Sequence, residues 1–316
     1  MMPKKFNIAN IPTPIQNHKF NGCSFLIKRD DLTGVELTGN KIRKLEYLLY
    51  DAKKNKADYI FTAGGDQSNH ARATVIAAAM NGFKTKLFLW GKDKSTAEGN
   101  LFLDKVFGAE IQYLNKDEFF NVNEIMLREK EKFNKKGLNV YEIPAGGSSV
   151  LGIWGYINFM NELSKQIKLT KIKGIFTAAG SGGTSAGLLI GAAIFNLNLK
   201  IYAVNVLLPK DDLYNYIFNL TDACINKYKL NIKIRRENLI IVDGYSEEGY
   251  KNILPEKINV IKEFARQSGI LFDPTYTGKA FYSYNDLFLT GMKKNEVLFV
   301  HTGGIYGAFS KRKEYL

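Results

Sequence analysis

Cysteine is scarce in this 316-residue chain: Cys23 and Cys224 are the only two, and their separation matches no metal-binding spacing. They read as two reduced thiols of a cytoplasmic protein rather than a disulfide framework. Histidine is nearly as rare. His18, His70 and His301 are the only three, too few and too scattered for a histidine-based metal site. There are only 7 prolines, and no low-complexity linker divides the chain. Long apolar runs are missing as well. The most apolar stretch, residues 174–196, is broken by Gly, Ser and Thr, which excludes it as a membrane span. The first sixteen residues lack the apolar centre of a secretory signal, so a cytoplasmic location is expected.

Positive charge, by contrast, is plentiful. Lys and Arg number 44 against 31 Asp and Glu, a formal net charge of +13. The charges are spread along the chain, and the densest run, residues 128–137, mixes both signs. That pattern reads as a solvated lysine-rich surface and not a nucleic-acid footprint. It suits attraction of small anions, and neither a nucleic acid nor a membrane is expected as a partner.

The chain alternates short apolar runs with helical patterns. Strands are expected at 57–63, 83–91, 109–114, from 139, and at 173–179, 200–207, 239–244 and 296–304. Helices are expected over 71–82, 99–108, 117–136, 150–167, 186–196, 256–269 and 279–291, with another opening at Lys41. Repeated βα units predict parallel, doubly wound α/β sheets, and the length favours two domains.

Glycine loops stand where such sheets bind ligands. "GSGGTS" (180–185) follows a strand and opens a helix. Its glycines let backbone approach an anion, and the first-turn amides with the Thr184 and Ser185 hydroxyls can hold a phosphate. No Lys-Ser/Thr follows, so it is not a P-loop. A dinucleotide site would need an acid at the end of the next strand, where Asn205 stands; Asp211 and Asp212 lie beyond Pro209. A lone phosphate on a small cofactor fits better than NAD. "GGDQSNH" (64–70) repeats the grammar, with Ser68, Asn69 and His70 at a helix start suited to a carboxylate. "DPTYTGKAF" (273–281) and "VHTGGIYGAF" (300–309) place Tyr276, Thr277 and Thr302 beside glycines at the ends of expected strands. One helix start is electrostatically odd: Lys41, Arg43 and Lys44 crowd an end that already carries partial positive charge.

Taken in order, "KRDDLTGVELTGNKIRKLEYLLYDA", "TAGGDQSNHARAT", "GSGGTSAGL", "DPTYTGKA" and "LFVHTGG" resemble the D-cysteine desulfhydrase and 1-aminocyclopropane-1-carboxylate deaminase family, over nearly the whole chain. The resemblance implies the tryptophan-synthase-β-like fold (fold type II), with pyridoxal 5'-phosphate as cofactor and a small amino acid as substrate. It further implies a homodimer, a larger domain of 1–48 and 162–316, and a smaller one of 49–161. Lys41 would form the Schiff base with the cofactor aldehyde. Gly180, Ser181, Gly182, Gly183 and Thr184 would hold the phosphate, joined by Lys44 one turn after Lys41. Asn69 would bond the ring hydroxyl, and Thr302 would partner the pyridine nitrogen. Ser68, with Asn69, His70 and Thr277, would bind the substrate, whose carboxylate Ser68 would take; Tyr276 and Tyr250 would face it as proton-handling or positioning groups.

The family's deaminase branch usually has Gln and Glu where His70 and Thr277 stand here, which points to D-cysteine, cleaved to pyruvate, sulfide and ammonia. The alternatives are the cyclopropane deaminase, a sulfo-lyase acting on cysteate, and a non-catalytic small-anion-binding protein. Three positions depart from the family pattern. Asp66 replaces an apolar residue, Tyr306 a proline, and Glu248 a proline before Gly249-Tyr250. Arg43 is left as a surface cation.

Overall fold

Strands that are apolar at every position need both faces covered. Two such runs, Gly174–Ala179 and Val297–His301, are buried throughout and sit side by side within the larger of two sheets. A computed structural model describes residues 2–93, 96–291 and 294–316. Among these the strands are β1 (Ile15–Phe20), β2 (Cys23–Arg29), β3 (Tyr59–Gly65), β4 (Lys84–Trp90), β5 (Glu110–Leu114), β6 (Val140–Glu142), β7 (Gly174–Ala179), β8 (Lys200–Asn205), β9 (Leu239–Val242) and β10 (Val297–His301). The larger sheet runs β1-β2-β10-β7-β8-β9, antiparallel only at the β1–β2 hairpin, which the sequence reading does not contain. The smaller sheet runs β5-β4-β3-β6 and is parallel throughout.

The helices are α1 (Lys41–Lys54), α2 (Asn69–Met80), α3 (Gly99–Val106), α4 (Lys116–Phe120), α5 (Val122–Lys135), α6 (Trp154–Gln166), α7 (Gly183–Ile194), α8 (Lys210–Tyr228), α9 (Pro255–Ser268), α10 (Thr277–Tyr284), α11 (Ile305–Ser310) and α12 (Arg312–Tyr315). On one face of the larger sheet, α6, α7 and α8 bury an aliphatic layer around Ile157, Met160, Leu188 and Ile217. On the other, an aromatic layer includes Phe264 and Phe272, whose rings stand 4.4 and 4.7 Å from that of Phe281. Helix α1 packs on α2 beside the smaller sheet and on α6 beside the larger, so it bridges the two.

That bridge carries a buried ion cluster. Arg43 is 2% exposed; its guanidinium donates to both Asp30 oxygens at 2.8 Å and to Glu162 at 2.7 Å. Lys28 joins Glu162 at 2.5 Å, and the Tyr156 hydroxyl donates to Asp30 at 2.6 Å. Arg43 is therefore not a surface cation: the turn that follows β2 and helix α6 supply carboxylates that no local pattern announces.

Other expectations shift for local reasons. The helix expected over 117–136 is two helices parted at Asn121, a residue that disfavours helix interiors. The one expected from 150 starts at Trp154, because the Ser149 hydroxyl takes the Gly152 amide and holds that stretch in turns. No strand precedes "DPTYTG"; the amides of Thr275, Tyr276 and Thr277 donate to the Asp273 carboxylate instead of a ladder. Helix α8, to which the sequence reading assigns nothing, opens after Pro209 with Asp211 and Asp212 in its first turn, where acids complement the helix dipole.

Candidate active site

Both sheets aim the carboxyl ends of strands at one cleft, the place where parallel sheets bind ligands. The loop after β7 passes into α7, that after β10 carries Thr302 and Gly303, and that after β3 leads into α2. Together with the start of α1 they line a cleft that opens to solvent. Lys41, Lys44, Asn69, Tyr276, Thr302 and the 180–185 turn line it.

Its electrostatics are one-sided. Two lysines and a helix N-terminus face the cleft, and no carboxylate is among its described lining residues. Lys41 makes no hydrogen bond or ion pair to a described residue, and burial draws its pKa from 10.5 down to about 8. Lys44 lies well below the ordinary lysine value, first through burial and then through the charge of Lys41. Its ammonium donates to the Gly146 carbonyl at 3.2 Å and the Ser148 hydroxyl at 3.1 Å, neutral partners that leave the charge unbalanced. An anion in the cleft would balance it.

The cradle for that anion is the start of α7. Gly183 allows the close approach: a β-carbon there would stand 2.8 Å from the Lys44 ammonium. The Ser185 hydroxyl is buried with no hydrogen-bond partner, and the first-turn amides have no carbonyl one turn back. The Ser148 hydroxyl meets that of Ser181 at 2.9 Å, and Asn40 donates to Thr184 at 3.0 Å. A lone anion with several oxygens satisfies these groups together, so the residues fit the phosphate of pyridoxal phosphate.

At the opposite wall Asn69 opens α2. Its Oδ1 accepts from Asn100 at 2.9 Å, which leaves its amide N–H groups for a ligand. Thr302 lies beside Gly39, whose φ of +105° suits glycine and where a β-carbon would come within 2.6 Å of the Thr302 carbonyl. The Tyr250 and Tyr276 hydroxyls are hydrogen-bonded to each other. Burial pushes Tyr250 up to about 12 and Tyr276 well above its ordinary value, so both are neutral phenols.

Three candidates sit behind the wall. Ser68 caps α2, accepting the Ala71 amide at 3.2 Å, with its own O–H donor uncommitted. His70 bonds through Nε2 to Thr62 at 2.9 Å. Because the Thr62 hydroxyl donates to the Ile143 carbonyl at 2.7 Å, Nε2 carries the proton, and Nδ1 is buried without a partner. Burial, Lys41 and Lys44 together hold His70 well below its usual pKa. Thr277 is fully buried, donating to Asp273 at 2.5 Å and reaching the Gly303 carbonyl at 3.3 Å. Asn40, Ser148 and Asp273 belong to the site without having been singled out from sequence, whereas the Ser185 hydroxyl is expected there. The glycine pair of "PAGGSS" (144–149) is the available signal for Ser148.

The departures from the family pattern have partners. Asp66 accepts from Lys251 at 2.7 Å, and that ammonium lies 4.5 Å from the Trp90 ring. Tyr306 stacks under Arg72 at 5.3 Å, and Arg72 is buried, donating to Asn100 at 2.9 Å and so bracing the residue that holds Asn69.

Comparison with known proteins follows the same lines. The model of a family described as pyridoxal-phosphate dependent enzyme matches residues 7–303. A Thermotoga maritima protein that carries the provisional name 1-aminocyclopropane-1-carboxylate deaminase is 40% identical, over 98% of this chain and 99% of its own. An Arabidopsis thaliana protein named bifunctional D-cysteine desulfhydrase/1-aminocyclopropane-1-carboxylate deaminase is 34% identical, over 97% of this chain and 79% of its own. Among solved structures, one described as an ACC deaminase homologue superposes with a TM-score of 0.90 at 36% identity, covering 99% of this chain and 95% of that one. A serine racemase from Dictyostelium discoideum shares the fold at a TM-score of 0.61 and 18% identity, over 92% of both chains.

Proposed function

The chain belongs to the pyridoxal-phosphate-dependent enzymes of the D-cysteine desulfhydrase and 1-aminocyclopropane-1-carboxylate deaminase family, and from that membership we propose that it cleaves D-cysteine to pyruvate, sulfide and ammonia. Its cofactor is pyridoxal 5'-phosphate, in an α/β fold of type II. When bound, the cofactor draws electron density from the substrate bond to be broken. Everything else falls to the chain's own side chains. Lys41 would be the covalent anchor and, with a pKa of about 8, a group able to take and return a proton near neutral pH. Lys44, the 180–184 turn and Ser185 would hold the phosphate. Asn69 would orient the ring through its hydroxyl, and Thr302 would meet the ring nitrogen with a neutral hydroxyl. Ser68 and the start of α2 would take the substrate carboxylate, with the Tyr250–Tyr276 pair beside the reacting carbons. We take residues 1–48 with 162–316 as the larger domain, 49–161 as the smaller, and a cytoplasmic homodimer as the working form.

The observation that carries D-cysteine over the cyclopropane acid is Thr277. The side chain packed against Gly303, next to Thr302, is a hydroxyl rather than a carboxylate, and the nearby Asp273 is already committed to the start of α10. A weaker electron sink suffices when the leaving group is good. The second reading, opening of 1-aminocyclopropane-1-carboxylate, is favoured by the name of the Thermotoga relative.

The test is to offer the purified holoenzyme D-cysteine, L-cysteine, cysteate and the cyclopropane acid. Pyruvate with sulfide from D-cysteine is the expected result. 2-Oxobutyrate from the cyclopropane acid as the main product would transfer the assignment to the second reading. Borohydride treatment and peptide mapping should place a pyridoxyl group on Lys41. A Thr277→Glu enzyme that keeps full D-cysteine turnover would remove Thr277 from the argument.

A further inference from the structure

Tyr250 meets Tyr276, a residue of the cleft wall, from a segment that has no helix or strand of its own, residues 243–254 between β9 and α9. Backbone pairing therefore does not explain how its hydroxyl is kept against that of Tyr276. Two buried lysines approach the segment from the helices beneath it. Lys257 of α9 donates to the Tyr245 carbonyl at 2.7 Å and to the two Glu248 carboxylate oxygens at 2.9 and 2.8 Å. Lys279 of α10 donates to the Gly249 carbonyl at 2.7 Å and stands 3.6 Å from Glu248.

The side chains of Lys257, Lys279 and Glu248 are 6%, 0% and 5% exposed. Water is thus no substitute partner for any of them. Among the described residues no other carboxylate forms an ion pair with either lysine. Asp273 acts on Lys279 only from beyond ion-pair distance, so Glu248 is the one carboxylate in contact with both ammonium groups among the described residues, and removing it leaves like charges buried together, a strongly unfavourable state.

The direction of the tether matters as much as its strength. Both lysines sit on helices of the larger unit's core, while all three of their acceptors, Tyr245, Glu248 and Gly249, lie on the loop. The loop's other bonds to the body of the protein before Tyr250 are at its start: the Asn205 amide on Asp243, the Tyr245 hydroxyl on Asp286 and the Ser246 hydroxyl on the Asn205 carbonyl; the Gly249 amide on the Ser246 carbonyl and the Asn252 amide on the Glu248 carbonyl tie the loop only to itself. After Tyr250 the chain crosses to the smaller sheet through Lys251 and Asp66. Glu248 and Gly249 are what fix the backbone immediately before the phenol.

We propose that Glu248 is a positioning residue: held between Lys257 and Lys279, its carboxylate fixes the loop that carries the Tyr250 hydroxyl to Tyr276, and so sets the geometry of proton handling at the substrate. The proposal rests on the reading of Tyr250 as a substrate-facing residue. It concerns Glu248 alone among the three, because only Glu248 has a carboxylate to lose without losing the helices that donate to it.

The experiment compares the holoenzymes of Glu248→Gln, Tyr250→Phe and the double variant with the wild type. Their kinetics are measured on whichever tested amino acid is turned over. Trypsin cleavage after Lys251, scored by mass spectrometry, supplies a readout independent of turnover. Glu248→Gln should lose about 10²-fold in kcat/KM, the scale of a 1 Å misplacement, with the loss mainly in kcat. The double variant should be no worse than the poorer single, as expected of residues acting through one another. Trypsin should cut Glu248→Gln faster than wild type, while bound-cofactor absorbance is retained. Losses that multiply in the double variant would overturn the proposal, as would full kcat/KM in Glu248→Gln. Unchanged trypsin susceptibility overturns the hold on the loop. Full activity in Tyr250→Phe instead removes the reading of Tyr250, and with it the catalytic half of the proposal. If Glu248→Gln does not fold, Lys257→Gln leaves Glu248 and Lys279 balanced one to one, and the same cycle with Tyr250→Phe decides the question.

Discussion

Lys41 is a lysine whose amine has been taken out of water and given no hydrogen-bond or ion-pair partner among the described residues. Burial draws its pKa from 10.5 to about 8, and this has a consequence for stability. Between those values the unfolded chain holds a proton that the folded one has lost, so stability rises with pH across that window. Below about pH 8 the folded protein carries a buried charge at a cost. Replacing Lys41 by Met removes the cost, so the cofactor-free variant should melt at a higher temperature than cofactor-free wild type at pH 7. The difference should shrink as pH rises from about 8 toward 10.5; thermal melts at several pH values check both statements. At the same scale, legibility was uneven. Lys41 and Lys44 share one motif and Asn69 stands in a second, "QSNH"; the resemblance gives each its expected role, and the structure brings all three to the cleft. Asn40 and Ser148 are not legible in this way, since Asn40 matters through Thr184, 144 positions away, and Ser148 through Lys44, 104 positions away, and Ser181, 33 positions away. Asp66, Glu248 and Tyr306 looked anomalous only because their partners, Lys251, Lys257 and Arg72, are invisible from local sequence.

Elements explain why the basic start of α1 is tolerated. Its three cations go three ways: Lys41 into the cleft, Lys44 toward the 144–149 loop and α7, and Arg43 away to Asp30 and Glu162. The third of these joins α1 to the turn after β2 and to α6. Arg43→Met should therefore lower stability by about 3–5 kcal/mol, the usual cost of breaking a buried pair and stranding its carboxylates; urea unfolding measures it. A loss under about 1 kcal/mol, the range of a surface pair, would deny the cluster that role. Burial alone would raise Asp30 and Glu162, but Arg43 and Lys28 together, joined at Asp30 by the Tyr156 hydroxyl, outweigh it and hold both below their ordinary values of 3.8 and 4.5. Their contribution is thus present above those values and is lost as acid titrates them below, so the deficit of Arg43→Met should narrow on acidification. Strands and helices with strong periodicity were visible in sequence to within a few residues. Helix α8 was not assigned, and the β1–β2 hairpin, with Asn21-Gly22 at its turn, was likewise passed over. The segment at 270–276 was misread because an apolar run ending in a turn looks the same whether its amides face a strand or a carboxylate.

For the whole molecule, the decisive fact is that the cleft has walls from both sheets and from the helix that bridges them. Cofactor should accordingly stabilise the structure as a unit. At a hundredfold excess of free cofactor over its Kd, the gain is about 2.7 kcal/mol, seen as a single thermal transition that moves upward on titration of stripped protein. A transition that splits, with only one part moving, would mean that the two sheets do not share the site. By itself the amino-acid sequence makes the α/β class legible in its repeated βα pattern and an anion site legible in its glycine turns, because both are local solutions to local problems, while its resemblance to the family supplies the cofactor and the expectation that Lys41 anchors it. Only the tertiary structure decided which charges are buried, what Arg43 and Glu248 hold, and that His70 and Thr277 stand behind the cleft wall. Those outcomes depend on desolvation and on partners brought together from distant parts of the chain, and neither quantity exists until the chain is folded.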